Sequence, residues 1–274
     1  MRPTTPLILA LLVACGGDPE TAPLGPETVA APAPDGDPAP AAAPVQSWKI
    51  LAPSPLDLQA EVKAAGIETS IVDLVPTTVP EFGGEDKDQI AFRTGVVFAY
   101  TLLGGLESDK PLFLSQVKAV RLGMKNIGTG KGLLKTMGKA IEQIENDTGS
   151  RQDFLTEIDQ QVSSSVPEEG WGPNDKTGPM LQAGAWLAGI NVVAQAVVRA
   201  DDAAAADKLL KRPEVADFFL KYATSSEGDA KAGVMSTPVT ESLQKLKEIS
   251  GRDHIGVDGA AEIVEVTQKL LELS

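Results

Sequence analysis

The stretch MLQAGAWLAGINVVAQAVV, residues 180–198, contains no charged residue and forms the core of the most apolar helix that the sequence predicts. A helix of this length extends about 28 Å, close to the thickness of a bilayer's hydrocarbon core. Gln182, Asn191 and Gln195 interrupt the stretch, and a helix that is apolar all round also occurs as the buried middle of a bundle. We therefore predict that residues 179–200 form the central, buried helix of a helical domain.

Helix signals continue on both sides of this stretch. Ser54, Pro55 and Asp57 form a helix-start pattern, and Thr237-Pro238 predicts another start. Apolar spacing and terminal glycines predict further helices at about 54–66, 86–105, 108–128, 132–146, 150–162, 202–210, 213–224, 238–250 and 259–273. We expect residues 68–86 to wrap the domain as a loop. Because strand signals do not recur, the fold class is all-α, a single multi-helix bundle or an irregular helical array.

The first residues have the pattern of an export signal. Arg2 precedes an apolar run at 7–13, which is too short to span a membrane. Leu12-Val13-Ala14-Cys15 then resembles the lipobox of bacterial lipoproteins. This resemblance implies cleavage before Cys15 and acylation of its thiol, whereas the alternative is an ordinary secretory signal that contains a cysteine. We expect a signal peptide at 1–14, and Gly16 in place of aspartate favours the outer membrane.

The next segment, 15–46, is predicted to be a lipidated N-terminus followed by a disordered linker. It is rich in Pro and Ala, as at 31–34 and 38–44, and has too few apolar side chains to build a core. A segment of about thirty residues with this composition spans about 30 Å from end to end as a flexible coil and about 95 Å when fully extended as polyproline II. It is either a spacer that lifts the helical domain, 47–274, off a membrane or a solvated tail.

Composition restricts the chemistry of the chain. With 24 basic and 38 acidic residues, the net charge is −14, which argues against nucleic-acid partners. Cys15 is the only cysteine and His254 the only histidine, so neither an intramolecular disulfide nor a Cys/His metal cluster can form. Acidic clusters at 85–88 and 167–170 do not follow a calcium-loop pattern and are interpreted as solvated loop acids.

Two glycine-containing helices resemble a family. Gly184-Ala185-Trp186-Leu187-Ala188-Gly189 is similar to the Gly-x-Trp-x-x-Gly helix of helical bacterial lipoproteins of uncharacterised function, and residues 93–100 look like a second, looser match. The resemblance implies a helical lipoprotein domain and brings no known activity with it.

Candidate site residues come from polar and aromatic positions in apolar helices. Arg93, Trp186, Asn191 and Gln195 either line a ligand-binding groove or belong to a structural hydrogen-bond network. We predict no catalytic residue, metal ligand or cofactor, and we place His254 in a surface turn. The paired carboxylates of glycoside cleavage remain an alternative, although no spacing selects a pair.

These features together predict a membrane-anchored envelope lipoprotein, lipid-anchored on the periplasmic face of the outer membrane or on the cell surface. Its helical domain would bind another envelope protein or have a structural role. The alternative is a helical envelope protein that binds a small ligand or hydrolyses a substrate with carboxylates.

Overall fold

Local capping interactions determine where several helices begin in the computed structural model of the chain, which describes residues 52–79, 82, 86–165, 177–224 and 235–272. The Ser54 side chain accepts from the Asp57 N–H, and Asp86 and Asp109 cap the next two helices in the same way. Gly128, with φ of 87°, ends one helix in the left-handed conformation that glycine adopts without a Cβ clash. The predicted signal peptide and linker, 1–46, lie outside the described residues.

The described residues form helices joined by turns and loops and contain no strand, which confirms the all-α fold class. The helices are α1 Pro55–Ala64, a 3-10 helix Ile71–Leu74, α2 Lys87–Gly104, α3 Lys110–Ile127, α4 Lys131–Glu145, α5 Arg151–Ser165, α6 Thr177–Ala200, α7 Ala203–Leu210, α8 Pro213–Thr224, α9 Ser236–Ser250 and α10 Gly256–Leu271. The segment expected to be a loop thus contains one 3-10 turn.

Helix α6 is the centre of the array. It packs against α1, α2, α7, α8 and α10, while α3 covers α2, α4 lies on α3, and α9 packs on α8 and α10. Within the described residues it is the one helix long and apolar enough to cross a membrane, yet 83% of its most apolar window is buried inside the protein. The sequence prediction of a buried central helix is therefore confirmed.

Several predicted helix starts differ from the structure by two or three residues. Helix α6 begins at Thr177 rather than at Pro179, α9 begins at Ser236 rather than at Pro238, and α10 begins at Gly256 rather than at about Gly259. The sequence assigned Thr237 as a cap residue before Pro238, but both residues lie inside the first turn of α9, where proline is tolerated because the first backbone N–H groups of a helix have no intrahelical acceptor. The residue before α9 is Met235, which makes no side-chain cap and is instead buried in the core.

Candidate binding cleft at Trp186

Glycines set the distance between α2 and α6, and this contact places Trp186. A Cβ on Gly184 would overlap the carbonyl oxygen of Phe92, and one on Gly95 would overlap that of Leu181. The two helices are antiparallel here, because residues 92 and 95 lie opposite 184 and 181. Backbone-to-backbone packing of this kind requires glycine, since any side chain would separate the helices. The two glycine-containing stretches of the sequence thus meet in space.

Beside this contact, a cleft opens between α2, α5, α6 and the residues at the start of α1. It is lined by Ala52, Pro53, Ser54, Pro55, Phe98, Asp159, Val162, Leu181, Gln182, Ala185 and Trp186. Its volume including the open mouth is about 400 Å³, and the space that water-sized groups can occupy is about 40 Å³. The lining is mainly apolar, which is typical of small-ligand sites.

The indole of Trp186 forms one wall of this cleft. The residue is only 3% exposed, and its ring lies 5.7 Å from that of Phe219 between centroids, with an angle of 35° between the planes. Its Nε1 atom is buried and has no hydrogen-bond partner. Buried donors are almost always paired, so this N–H is an exception within the core.

Asp159 and Ser54 contribute polar groups to the same cleft. The Ser54 hydroxyl donates to Asp159 Oδ2 at 3.1 Å, while its oxygen also accepts from the Asp57 N–H. Gln182, half-buried on α6, adds an amide. The cleft therefore combines a carboxylate, a hydroxyl and an amide with a mainly apolar lining.

The four residues proposed from the sequence occupy different places. Trp186 lines the cleft, whereas Arg93, Asn191 and Gln195 are not among its lining residues. Arg93 is half-buried on α2. Gln195 Nε2 donates to Asn191 Oδ1 at 2.6 Å, and Asn191 Nδ2 donates to Thr267 Oγ1 at 2.8 Å. Asn191 and Gln195 thus form a hydrogen-bond network that joins α6 to α10.

Sequence reasoning missed Ser54, Asp159 and Gln182 as cleft residues. Ser54 carried a signal, but as a helix cap, and Asp159 looked like one acid among many on an amphipathic helix. They become neighbours because α1, α5 and α6 meet, and no spacing in the sequence encodes that meeting.

His254 lies in a surface turn, as predicted, and its side chain is 88% exposed. Its Nδ1 atom lies 3.1 Å from Asp207 Oδ2, and Asp207 Oδ1 accepts from the backbone N–H groups of Ile255 and Gly256. The Ile255 N–H, followed by the His254 side chain, lowers the pKa of Asp207 below its usual value. Asp207 on α7 therefore caps the start of α10 from a distant part of the chain.

The described residues contain no cluster of three or more His, Cys, Asp or Glu side chains that could hold a metal ion. Cys15, the acidic cluster at 167–170 and Glu85 lie outside the residues described.

Comparison of the chain with models of known protein families, with curated proteins and with solved structures found no match.

Proposed function

We propose that the chain is a membrane-anchored envelope lipoprotein whose helical domain binds another envelope protein or has a structural role. The observation that carries this proposal is the tetrapeptide Leu12-Val13-Ala14-Cys15 after a short apolar run. Cys15 is the only cysteine, so its thiol is the single position for thioether acylation. One acyl chain anchors marginally and two or more anchor stably, and lipoproteins of this kind carry two or three.

The burial of α6 supports this mode of attachment. Its apolar side chains are in contact with the other helices of the domain, so its length and hydropathy are explained by its place in the core. Membrane attachment is then left to the acylated N-terminus, with residues 15–46 as the connection to the domain. The net charge of −14 favours a protein partner over nucleic acid.

Metabolic labelling tests the anchor. A palmitate analogue with a terminal alkyne should label the wild-type chain and move it to the membrane fraction, whereas Cys15→Ser should abolish the label and leave the chain in the soluble envelope fraction. A matched control combines Cys15→Ser with Ser150→Cys, which restores one thiol at an exposed helix start. This control should react with a maleimide but should incorporate no palmitate. An unlabelled wild-type chain would refute the proposal.

The second candidate function is the binding of a small ligand, and the mainly apolar cleft lined by Trp186 favours it. The cleft gives less support to carboxylate-based hydrolysis. Glycoside cleavage uses two carboxyl groups, and Asp159 is the only carboxylate among the described residues that line the cleft.

A further inference from the structure

We propose that the tip of the α3–α4 hairpin is the face with which the helical domain contacts an anionic lipid surface. This inference rests on the proposed attachment of the chain to a membrane and goes beyond it, because an acyl anchor on a long linker leaves the orientation of the domain open. It specifies the surface, the residues that recognise the lipid and the charge of the lipid.

Positive charge is concentrated in the α3–α4 hairpin, although the chain as a whole is acidic. Residues 110–141 contain seven of the 24 basic residues and none of the 38 acidic ones. The basic residues are Lys110, Lys118, Arg121, Lys125, Lys131, Lys135 and Lys139. The net charge of −14 therefore conceals a local surface of the opposite sign.

Five of these residues lie toward the tip of the hairpin, the end formed by the connection at 128–130, and all five are exposed. This basic tip consists of Arg121 and Lys125 on α3 and Lys131, Lys135 and Lys139 on α4. Its three lysines on α4 recur every four residues, so they share one side of that helix over about 12 Å. Arg121 connects this side to α3, because its Nε atom donates to the Leu134 carbonyl of α4 at 3.1 Å.

The charges of the basic tip are not neutralised within the described part of the chain, where none of its five residues has an ion pair. Farther from the tip this changes, since Lys118 Nζ lies 2.6 Å from Glu145 Oε1. The antiparallel packing of α2 and α3 brings the start of α2 toward the tip, but its acids Asp86 and Asp88 already have interaction partners. The lysines of the tip are therefore available to an external anion.

An exposed leucine lies within the same surface. Leu122 is 45% exposed, one of two large apolar side chains that are exposed among the described residues. It lies one helical turn before Lys125 and one turn after Lys118, on the exposed side of α3. Basic helices with apolar side chains of this kind lie in the interface of anionic membranes, where the charges meet headgroups and the apolar groups enter the acyl boundary. A lipid surface accounts for the lysines and the leucine together, and the proposed anchor already places the domain beside one.

The proposed linker and the range of electrostatic forces are compatible with this contact. A linker at 15–46 that spans about 30–95 Å would let the domain turn its basic tip toward the membrane that holds Cys15. Each lysine or arginine close to an anionic leaflet strengthens association about fivefold. The effect fades within a Debye length of about 8 Å, so the acidic surfaces on other parts of the domain would be repelled only weakly.

Vesicle flotation with the intact chain tests this contact separately from the anchor. The full chain with Cys15→Ser carries no acyl group, and its binding to vesicles of phosphatidylcholine alone is compared with binding to vesicles that contain about 30% phosphatidylglycerol. The tip variant replaces four lysines with glutamine, Lys125, Lys131, Lys135 and Lys139. The matched control replaces four exposed lysines outside the hairpin that also lack an ion pair among the described residues, Lys63, Lys208, Lys245 and Lys269. Residues 1–14 are present in every variant, so any contribution they make to lipid binding cancels.

We expect the Cys15→Ser chain to bind the anionic vesicles at least about 100-fold more tightly than the neutral ones. The tip variant should bind the anionic vesicles at least about 50-fold more weakly, whereas the control with the same net charge should change less than about threefold. Raising NaCl from about 0.05 M to about 0.5 M should release the chain. Circular dichroism checks that both variants keep their helical content.

A dye at Leu122 tests which face meets the lipid. Leu122→Cys in the Cys15→Ser chain provides a single thiol for a polarity-sensitive fluorophore, whose emission should move to shorter wavelength on anionic vesicles. The matched control carries the dye at Ser150→Cys, at the exposed start of α5, and its emission should not move.

Three results would overturn the proposal. The first is a chain that does not bind anionic vesicles, and self-association that the tip variant loses would then assign the basic tip to an acidic surface of a second copy. The second is an equal loss of binding in the tip variant and its control, and the third is a shift of the dye at position 150 but not at 122. None of these results depends on acylation, so a chain that binds vesicles but incorporates no palmitate would reject the anchor alone.

Discussion

At the scale of single residues, polar side chains hold segments together that are far apart in the sequence. Asp207 on α7 accepts from two N–H groups at the start of α10, where the N-terminal residue of the helix provides no side-chain cap. Asn191 on α6 donates to Thr267 on α10. These contacts satisfy backbone donors and buried amide groups that would otherwise lose their hydrogen bonds with water.

The pH dependence of stability should reveal the role of Asp207. The pKa of this carboxyl is lower in the folded chain than its usual value, so its contribution to stability is present above the usual pKa and is lost as pH falls through the folded pKa. Asp207→Asn should lower Tm at neutral pH and make Tm less sensitive to acid.

Asp258→Asn is the matched control for this prediction. Asp258 is exposed in the first turn of the same helix, so its substitution removes a similar charge near the start of α10 without removing the two backbone hydrogen bonds. Thermal melts of the three proteins between about pH 3 and pH 7 make the comparison, since unperturbed carboxyl groups titrate near pH 4. Equal acid sensitivity of the wild type and Asp207→Asn would contradict the assignment.

At the scale of helices, the α2–α6 contact organises the domain. Gly95 and Gly184 bring the two backbones together, and Gly123 allows α3 to approach Thr94 on the other side of α2. Small residues thus occur where α2 meets α6 and where it meets α3. Larger side chains, among them Phe92 and Leu187, fill the core around these contacts.

A methyl group at Gly184 should disrupt this contact. Gly184→Ala would place Cβ against the Phe92 backbone, which cannot rotate away as a flexible side chain can, so we expect a loss of about 1–3 kcal/mol or more in the free energy of unfolding. Urea denaturation followed by circular dichroism measures the change.

Gly132→Ala provides the control for this substitution. Gly132 lies in the first turn of α4 with no atom within 4 Å of the Cβ position, so the same substitution should be neutral or stabilise by up to about 1 kcal/mol. If both variants had the same stability, the close approach of α2 and α6 would not be a determinant of the fold.

At the scale of the whole molecule, negative charge exceeds positive charge by 14 and opposes compaction. Several ion pairs lie at the surface, including Lys110–Asp147 and Lys118–Glu145, and pairs as exposed as these contribute little to stability. Long-range repulsion and local attraction therefore act in opposite directions, and salt screens both.

We expect repulsion to be the larger effect. Raising NaCl from about 0.01 M to about 0.15 M shortens the Debye length from about 30 Å to about 8 Å, which screens repulsion across the domain. Tm should then rise by about 2–4 °C, which at this size corresponds to about 1 kcal/mol. Differential scanning calorimetry measures it, and a fall in Tm would show that the surface ion pairs dominate.

The sequence by itself determined the helical class, most helix boundaries and the burial of α6. Helix ends are set by residues within about four positions, such as the caps Ser54, Asp86 and Asp109 and the stop Gly128. The local sequence is therefore enough to predict where these helices begin or end. The same local pattern failed at Thr237-Pro238, because proline is compatible with more than one position in a first turn. The lipidated N-terminus remains a prediction from its motif.

Only the tertiary structure decided which side chains meet. The sequence grouped Trp186 with Arg93, Asn191 and Gln195, but its neighbours in the cleft come from α1, α2 and α5 as well as from α6. Asn191 pairs with a residue 76 positions away, and Asp207 caps a helix that begins about fifty residues later. Contacts between residues so far apart in the sequence depend on how whole helices pack. That packing is determined by all the buried helix faces together rather than by any local spacing.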